Sequence, residues 1–255
     1  MSHGTFPTDP SRRKAILVLS EHDVERCAYE PGVARELMID ETYVLQAPLR
    51  EQQGCTPALQ RLIDARLIQA GTLLIQNPYD CDSYEEATLA PQRFALAKHM
   101  YFSMICMHLG AKEVVVDQIH VHTGSSVLTI EAQAERAGST GQVDGKHEEL
   151  EKLRAQMHLR DVFEGGAADI EAAEHLLRQT GLSTDLNIRT LIEMRRGGGN
   201  RLKSRKLVLN LSSEAKSHLA LAGRIKVPAF VKLSTELDRV VKNKDDFTLT
   251  VTVNF

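Results

Sequence analysis

Residues 247–255 read Phe-Thr-Leu-Thr-Val-Thr-Val-Asn-Phe, apolar at every odd position and polar at every even one. Successive side chains of a strand point to opposite faces, so this period of two puts five apolar groups on one side and four polar groups on the other. A strand with one dry and one wet face belongs in an antiparallel sheet. The same alternation runs through Val127–Glu135, and with Glu113–His122 and the turn Thr123-Gly124-Ser125-Ser126 it predicts a hairpin over 113–135. A second hairpin is expected over 229–255, where Ala229–Val241 would return on Phe247–Phe255 through the turn Lys242–Asp246.

Against this β signal stands Pro91–Leu109, apolar almost all round through Phe94, Leu96, Ala97, Met100, Tyr101, Met104, Ile105 and Met107, and closed by Gly110. That pattern predicts a buried helix over 91–109, covered on several sides. Thr56–Ala70 has apolar residues at helical spacing between a Thr-Pro start and Gly71. Helical signals recur over 146–196, as His147–Arg160, Ala168–Gln179 and Thr184–Arg196, the last capped by Ser183 or Thr184. Short strands are expected at Lys14–Leu19, Thr42–Gln46, Thr72–Gln76 and Lys206–Leu211, and a helix at Ser213–Ala222, with a strand over Leu219–Val227 as the alternative. Strands grouped with strands and helices with helices define an α+β fold. Residues 1–13 read as a disordered leader ahead of one domain, 14–255; the alternative is two lobes, 14–136 and 146–255, joined by a Gly/Ser connector.

The bulk numbers exclude several classes. With 42% apolar and 25% charged residues the chain is neither disordered nor fibrous. No apolar stretch approaches the length of a membrane span, and the charged, proline-bearing start is not a signal peptide, so a cytoplasmic protein is expected. Cys27, Cys55, Cys81 and Cys106 form no C-x-x-C pair, which excludes a zinc ribbon and favours reduced thiols. No tryptophan and 5% aromatics leave little for stacking on single-stranded nucleic acid.

The functional clue is charge. Residues 186–255 carry 14 Lys and Arg against six Asp and Glu in a chain whose net charge is −3. Within Arg195–Lys206 (RRGGGNRLKSRK) half the residues are basic and none is acidic. Gly197–Ser204 falls one residue short of a phosphate-binding P-loop because Leu202 stands where glycine is needed, and a strand rather than a helix leaves it. What remains is a cluster of Arg195, Arg196, Arg201, Lys203, Arg205 and Lys206 suited to an acidic protein surface or a nucleic-acid backbone. The bland alternatives are a solvated face or docking onto the chain's own acids, with Asp80–Glu86 as an obvious candidate.

His120 and His122, two apart on one strand, share a face and could hold a metal if a third ligand arrived, but no glutamate follows at a useful spacing. No G-x-S-x-G, H-E-x-x-H or G-x-G-x-x-G motif is present. The expectation is therefore a non-catalytic binding or assembly protein with no cofactor, with a homo-oligomer as one form the assembly could take. A metal-assisted hydrolase built on His120 and His122 is the second reading, and a membrane-active or self-assembling β protein the third, with a membrane partner disfavoured.

Overall fold

The computed structural model describes residues 6–29, 40–49, 56–123, 126–131, 155, 159–197, 202–225 and 245–255. In chain order they form β1 (Ala15–Ser20), α1 (Glu21–Tyr29), β2 (Thr42–Ala47), α2 (Pro57–Asp64), β3 (Thr72–Asn77), β4 (Asp80–Glu86), α3 (Ala90–His108), β5 (Glu113–Thr123), β6 (Ser126–Glu131), β7 (Arg160–Val162), α4 (Ile170–Gln179), α5 (Leu186–Arg196), β8 (Ser204–Asn210), α6 (Ser213–Ala222) and β9 (Asp245–Asn254). The fold is α+β, and its strands form two mainly antiparallel sheets where the sequence suggests one. The chain divides into two compact units, neither continuous in sequence: Met1–Arg93 with Ser213–Asn243, and Phe94–Ser212 with Lys244–Phe255. The Gly/Ser segment 136–146 lies outside the described residues.

The first unit holds a sheet of order β2-β1-β3-β4, with β1 parallel to β2 and antiparallel to β3. Ile16, Val18, Leu45 and Leu74 meet Ala58, Leu59 and Leu62 of α2 on one side of it. Thr56 caps α2 by accepting the Leu59 N–H. The helix is shorter than its apolar spacing predicts because Arg66 takes a left-handed φ of 56°. The Leu67 N–H then closes back on the Leu62 carbonyl, and Leu67 and Ile68 still pack on the core from outside the helix.

Residues 6–13, expected as disordered leader, are tied down. Phe6 is buried against Tyr43, and the Pro10–Arg13 turn is capped by Asp9. Arg13, also buried, reaches Asp82 and Tyr84 of β4. That strand has no counterpart among the expected ones: the acidic run Asp80–Glu86 carries no strand pattern, yet it pairs with β3 and turns Tyr84 inward. On α6, His218 is buried and its Nδ1 lies 2.9 Å from the Gln76 carbonyl, so the neutral ring donates there. Burial is the main cause that holds its pKa below the ordinary 6.5, with the nearby Lys14 ammonium adding to it. The unfolded chain therefore binds this proton more readily than the fold does, and stability is expected to fall as pH drops from about 6.5 through the depressed value. Urea denaturation between pH 7.5 and 5 measures the slope, and a His218→Gln variant should flatten it.

The second unit is built on β6-β5-β9-β8, with β7 pairing to the start of β5. The 113–135 hairpin is present as β5 and β6; its last residues, 132–135, lie outside the described set. β9 pairs along both edges, with β5 over Asp245–Asn254 and with β8 over Thr248–Asn254. The partner expected for it, 229–241, lies outside the described residues.

Phe247, Leu249, Val251 and Val253 of β9 are buried as their alternation predicts, together with Leu207 and Leu209 of β8. A register shift between Val116 and Gln118 keeps both Val116 and Ile119 on the dry face while delivering Asp117 to the wet one. In α3, Phe94, Phe102, Ile105 and Cys106 are fully buried, but Met100, Met104 and Met107 stand exposed along one side, so the helix is not covered all round. Gly110 ends α3 at φ 78°, and a side chain there would meet the Gly166 carbonyl. The helix expected at His147–Arg160 lies largely outside the described residues, and its last residue, Arg160, belongs to β7.

Candidate functional site

The six basic residues of Arg195–Lys206 separate into those the fold uses and those it leaves outward. α5 carries the first two. Its N-cap is Asp185, one residue later than expected, whose carboxylate accepts the Asn187 and Ile188 N–H groups. Ile188, Leu191 and Ile192 are its buried face. This sets Arg195 beside the end of α3, where its Nε donates to the Leu109 carbonyl at 3.1 Å and its guanidinium lies 4.3 Å from the centre of the Phe255 ring. Arg196 instead pairs with Glu174 of α4 and Glu193, and those two carboxylates hold its pKa above the ordinary arginine value.

β8 carries the rest. Lys206 lies 3.3 Å from Asp117, which also accepts from Thr252. Arg205 meets the Met194 sulfur of α5. The Lys203 side chain is exposed and its ammonium has no hydrogen-bond or ion-pair partner among the described residues. Arg201 lies outside them. The expected docking onto the chain's own acids is thus realised in part within the second unit, through Glu174, Glu193 and Asp117.

The wet face of this sheet is cross-linked strand to strand. Thr248 donates to Asn210; His120 lies between Thr129 at 2.9 Å and Thr250 at 3.4 Å; Asp117 joins Thr252 to Lys206; Glu113 joins Asn254 to Arg160. The Asn254 amide and the Arg160 guanidinium hold the Glu113 carboxyl below the usual range. Both ring nitrogens of His120 are therefore already in contact with hydroxyls. The His122 side chain lies outside the described set, and no group of three potential metal ligands occurs among the described residues. No helix there is long and apolar enough to cross a membrane. Neither Cys106 nor Cys81 is a poised nucleophile: burial raises the Cys106 pKa well above its ordinary value, and burial followed by the Asp82 charge raises that of Cys81.

One residue that positions this region escapes the charge argument altogether. Lys98, in the middle of α3, is buried, with its ammonium 2.5 Å from Asp185 and 2.5 Å from the Asn210 carbonyl. It ties the start of α5 and the end of β8 to α3. A lysine inside an otherwise apolar helix is the signal that could have found it, since such a group needs a partner.

What these elements define is an α+β protein with a basic group at the margin of an antiparallel sheet. No family model matches the chain, and neither does any curated protein or solved structure.

Proposed function

We propose that this is a non-catalytic binding protein whose cations on β8 and the end of α5 engage an acidic protein segment. The observation that carries the reading is the division of labour within the basic run: Arg195 and Arg196 are fastened into the unit, while Lys203 stands exposed with no carboxylate beside it among the described residues and the Lys206 side chain is 61% exposed. Fastened cations give a fixed geometry, and exposed ones give attraction that reaches about a Debye length, ~8 Å at physiological salt.

A protein partner is favoured over a nucleic-acid backbone because Asp117, Glu174 and Glu193 sit among these cations. A continuous phosphate chain would meet them; a short acidic segment can avoid them. The test is fluorescence anisotropy with a labelled peptide of alternating Glu and Val, twelve residues long, at increasing salt. Affinity is expected to fall at least tenfold when Lys203, Arg205 and Lys206 are all changed to Ser, and to fall with salt in the parent protein. Binding that ignores both changes would remove the proposal, and so would a dT12 oligonucleotide that binds more tightly than the peptide.

A further inference from the structure

The backbone register of β8 says more about how such a segment would be held. Phe255 donates its N–H to the Lys203 carbonyl, so the odd-numbered residues of this strand turn their main-chain groups toward β9. The even-numbered residues turn theirs away, and two of the outward carbonyls are visibly occupied: Asn187 of α5 donates to the Val208 carbonyl at 2.8 Å, and Lys98 donates to that of Asn210. Beyond them the edge is open among the described residues. The N–H groups of Ser204, Lys206 and Val208 and the carbonyls of Ser204 and Lys206 have no partner among the described residues, and β8 ends the strand order of its sheet.

We infer that the edge of β8 from Ser204 to Val208 is a docking site for an extended acidic segment of a partner protein, which adds to the sheet as a further strand. This rests on the charge reading above and deepens it, since main-chain pairing would supply register where charge supplies only attraction. The chemistry around the edge selects the occupant. On the wet face the added strand would run beside Ser204 and Lys206; on the other it would run beside α5, where Met194 is exposed on the side of the helix that carries Asn187. Acidic residues alternating with apolar ones satisfy both faces. A second copy of this chain does not, because β8 antiparallel to β8 over Ser204–Val208 would set Lys206 directly against its own counterpart, with the Arg205 of each copy close by.

The test separates this inference from its parent reading. Ser204→Pro and Val208→Pro each remove one outward N–H, leave every charge in place and break no bond of the β8–β9 ladder. Together they are expected to weaken binding of the Glu-Val dodecapeptide at least tenfold, with the thermal midpoint and circular dichroism of the protein retained. A matching arm leaves the protein untouched: the peptide N-methylated at alternate residues in one phase loses binding, and in the other phase keeps it. Amide exchange supplies the third arm, with the Ser204, Lys206 and Val208 N–H groups slowed at least tenfold at saturating peptide. If the Lys203, Arg205, Lys206 triple variant abolishes binding while both N-methylated phases bind as the parent peptide does and these amides exchange unchanged, the charge reading stands and strand addition is overturned. If the triple variant binds normally, both fall.

Discussion

Replacing Lys98 with Met is expected to destabilise the second unit by about 3–5 kcal/mol, the range for removing one partner of a buried ion pair. The Lys98 side chain is 4% exposed and that of Asp185 14%, so the carboxylate left behind cannot recover full hydration. The Asn210 carbonyl loses its donor in the same step. Asp185 would still cap α5 through the Asn187 and Ile188 N–H groups, so the loss falls on the attachment of the helix more than on its formation. Urea denaturation of parent, Lys98→Met, Asp185→Asn and the double variant gives the coupling directly. The double variant should recover more than half of the single-variant loss, because asparagine caps a helix about as well as aspartate and no charge remains buried. A loss below about 1 kcal/mol in Lys98→Met would mean that the pair is solvated in solution. The same substitution is expected to weaken peptide binding, since it releases both elements that border the proposed edge.

Much of this architecture is legible in the chain because it rests on periodicity. Phe247–Phe255 alternates without exception, and the strand it forms is buried on the predicted side; Ser213–Ala222 is helical between the predicted residues. Punctuation is legible in the same way: Gly110 sits where a left-handed residue must end a long helix. What was not legible depends on partners distant in sequence. Asp80–Glu86 has four carboxylates in seven residues and no strand propensity to speak of, yet pairing with β3 and the inward turn of Tyr84 make it a strand. Residues 6–13 look solvent-bound until Arg13 finds its partners about 70 positions away. The basic cluster shows both sides: composition finds the residues, but only the fold distinguishes Arg195, stacked on Phe255, from Lys203, whose ammonium has no partner among the described residues.

The largest effect in the first unit is expected from Arg13→Met. The guanidinium is buried and spends four of its five N–H donors on its surroundings: Nε on the Pro7 carbonyl at 2.9 Å, Nη1 on the Cys81 carbonyl and the Tyr84 hydroxyl, Nη2 on Asp82 at 2.7 Å. It also lies over the Phe6 and Tyr84 rings. A methionine fills part of the space and satisfies none of these acceptors, so a loss of about 3 kcal/mol is expected, below the upper limit because Asp82 is one-third exposed and can rehydrate. Arg13→Lys should recover less than half of it, since one ammonium cannot reach in three directions from a planar fork. Thermal unfolding measures the loss, and limited proteolysis locates it: cleavage near residues 6–13 should appear in both variants well before cleavage of the sheet. Tyr84 gives a pH signature to the same cluster. Burial, opposed by Arg13, puts its pKa up to about 12, so the fold keeps the phenol neutral where the unfolded chain would ionise it. Stability from this group is complete below about pH 10 and is lost as pH rises through 12. Because Arg13 favours the ionised phenol, Arg13→Met should move the Tyr84 titration higher still; a titration unchanged or shifted downward in that variant would show that the guanidinium does not face the ring.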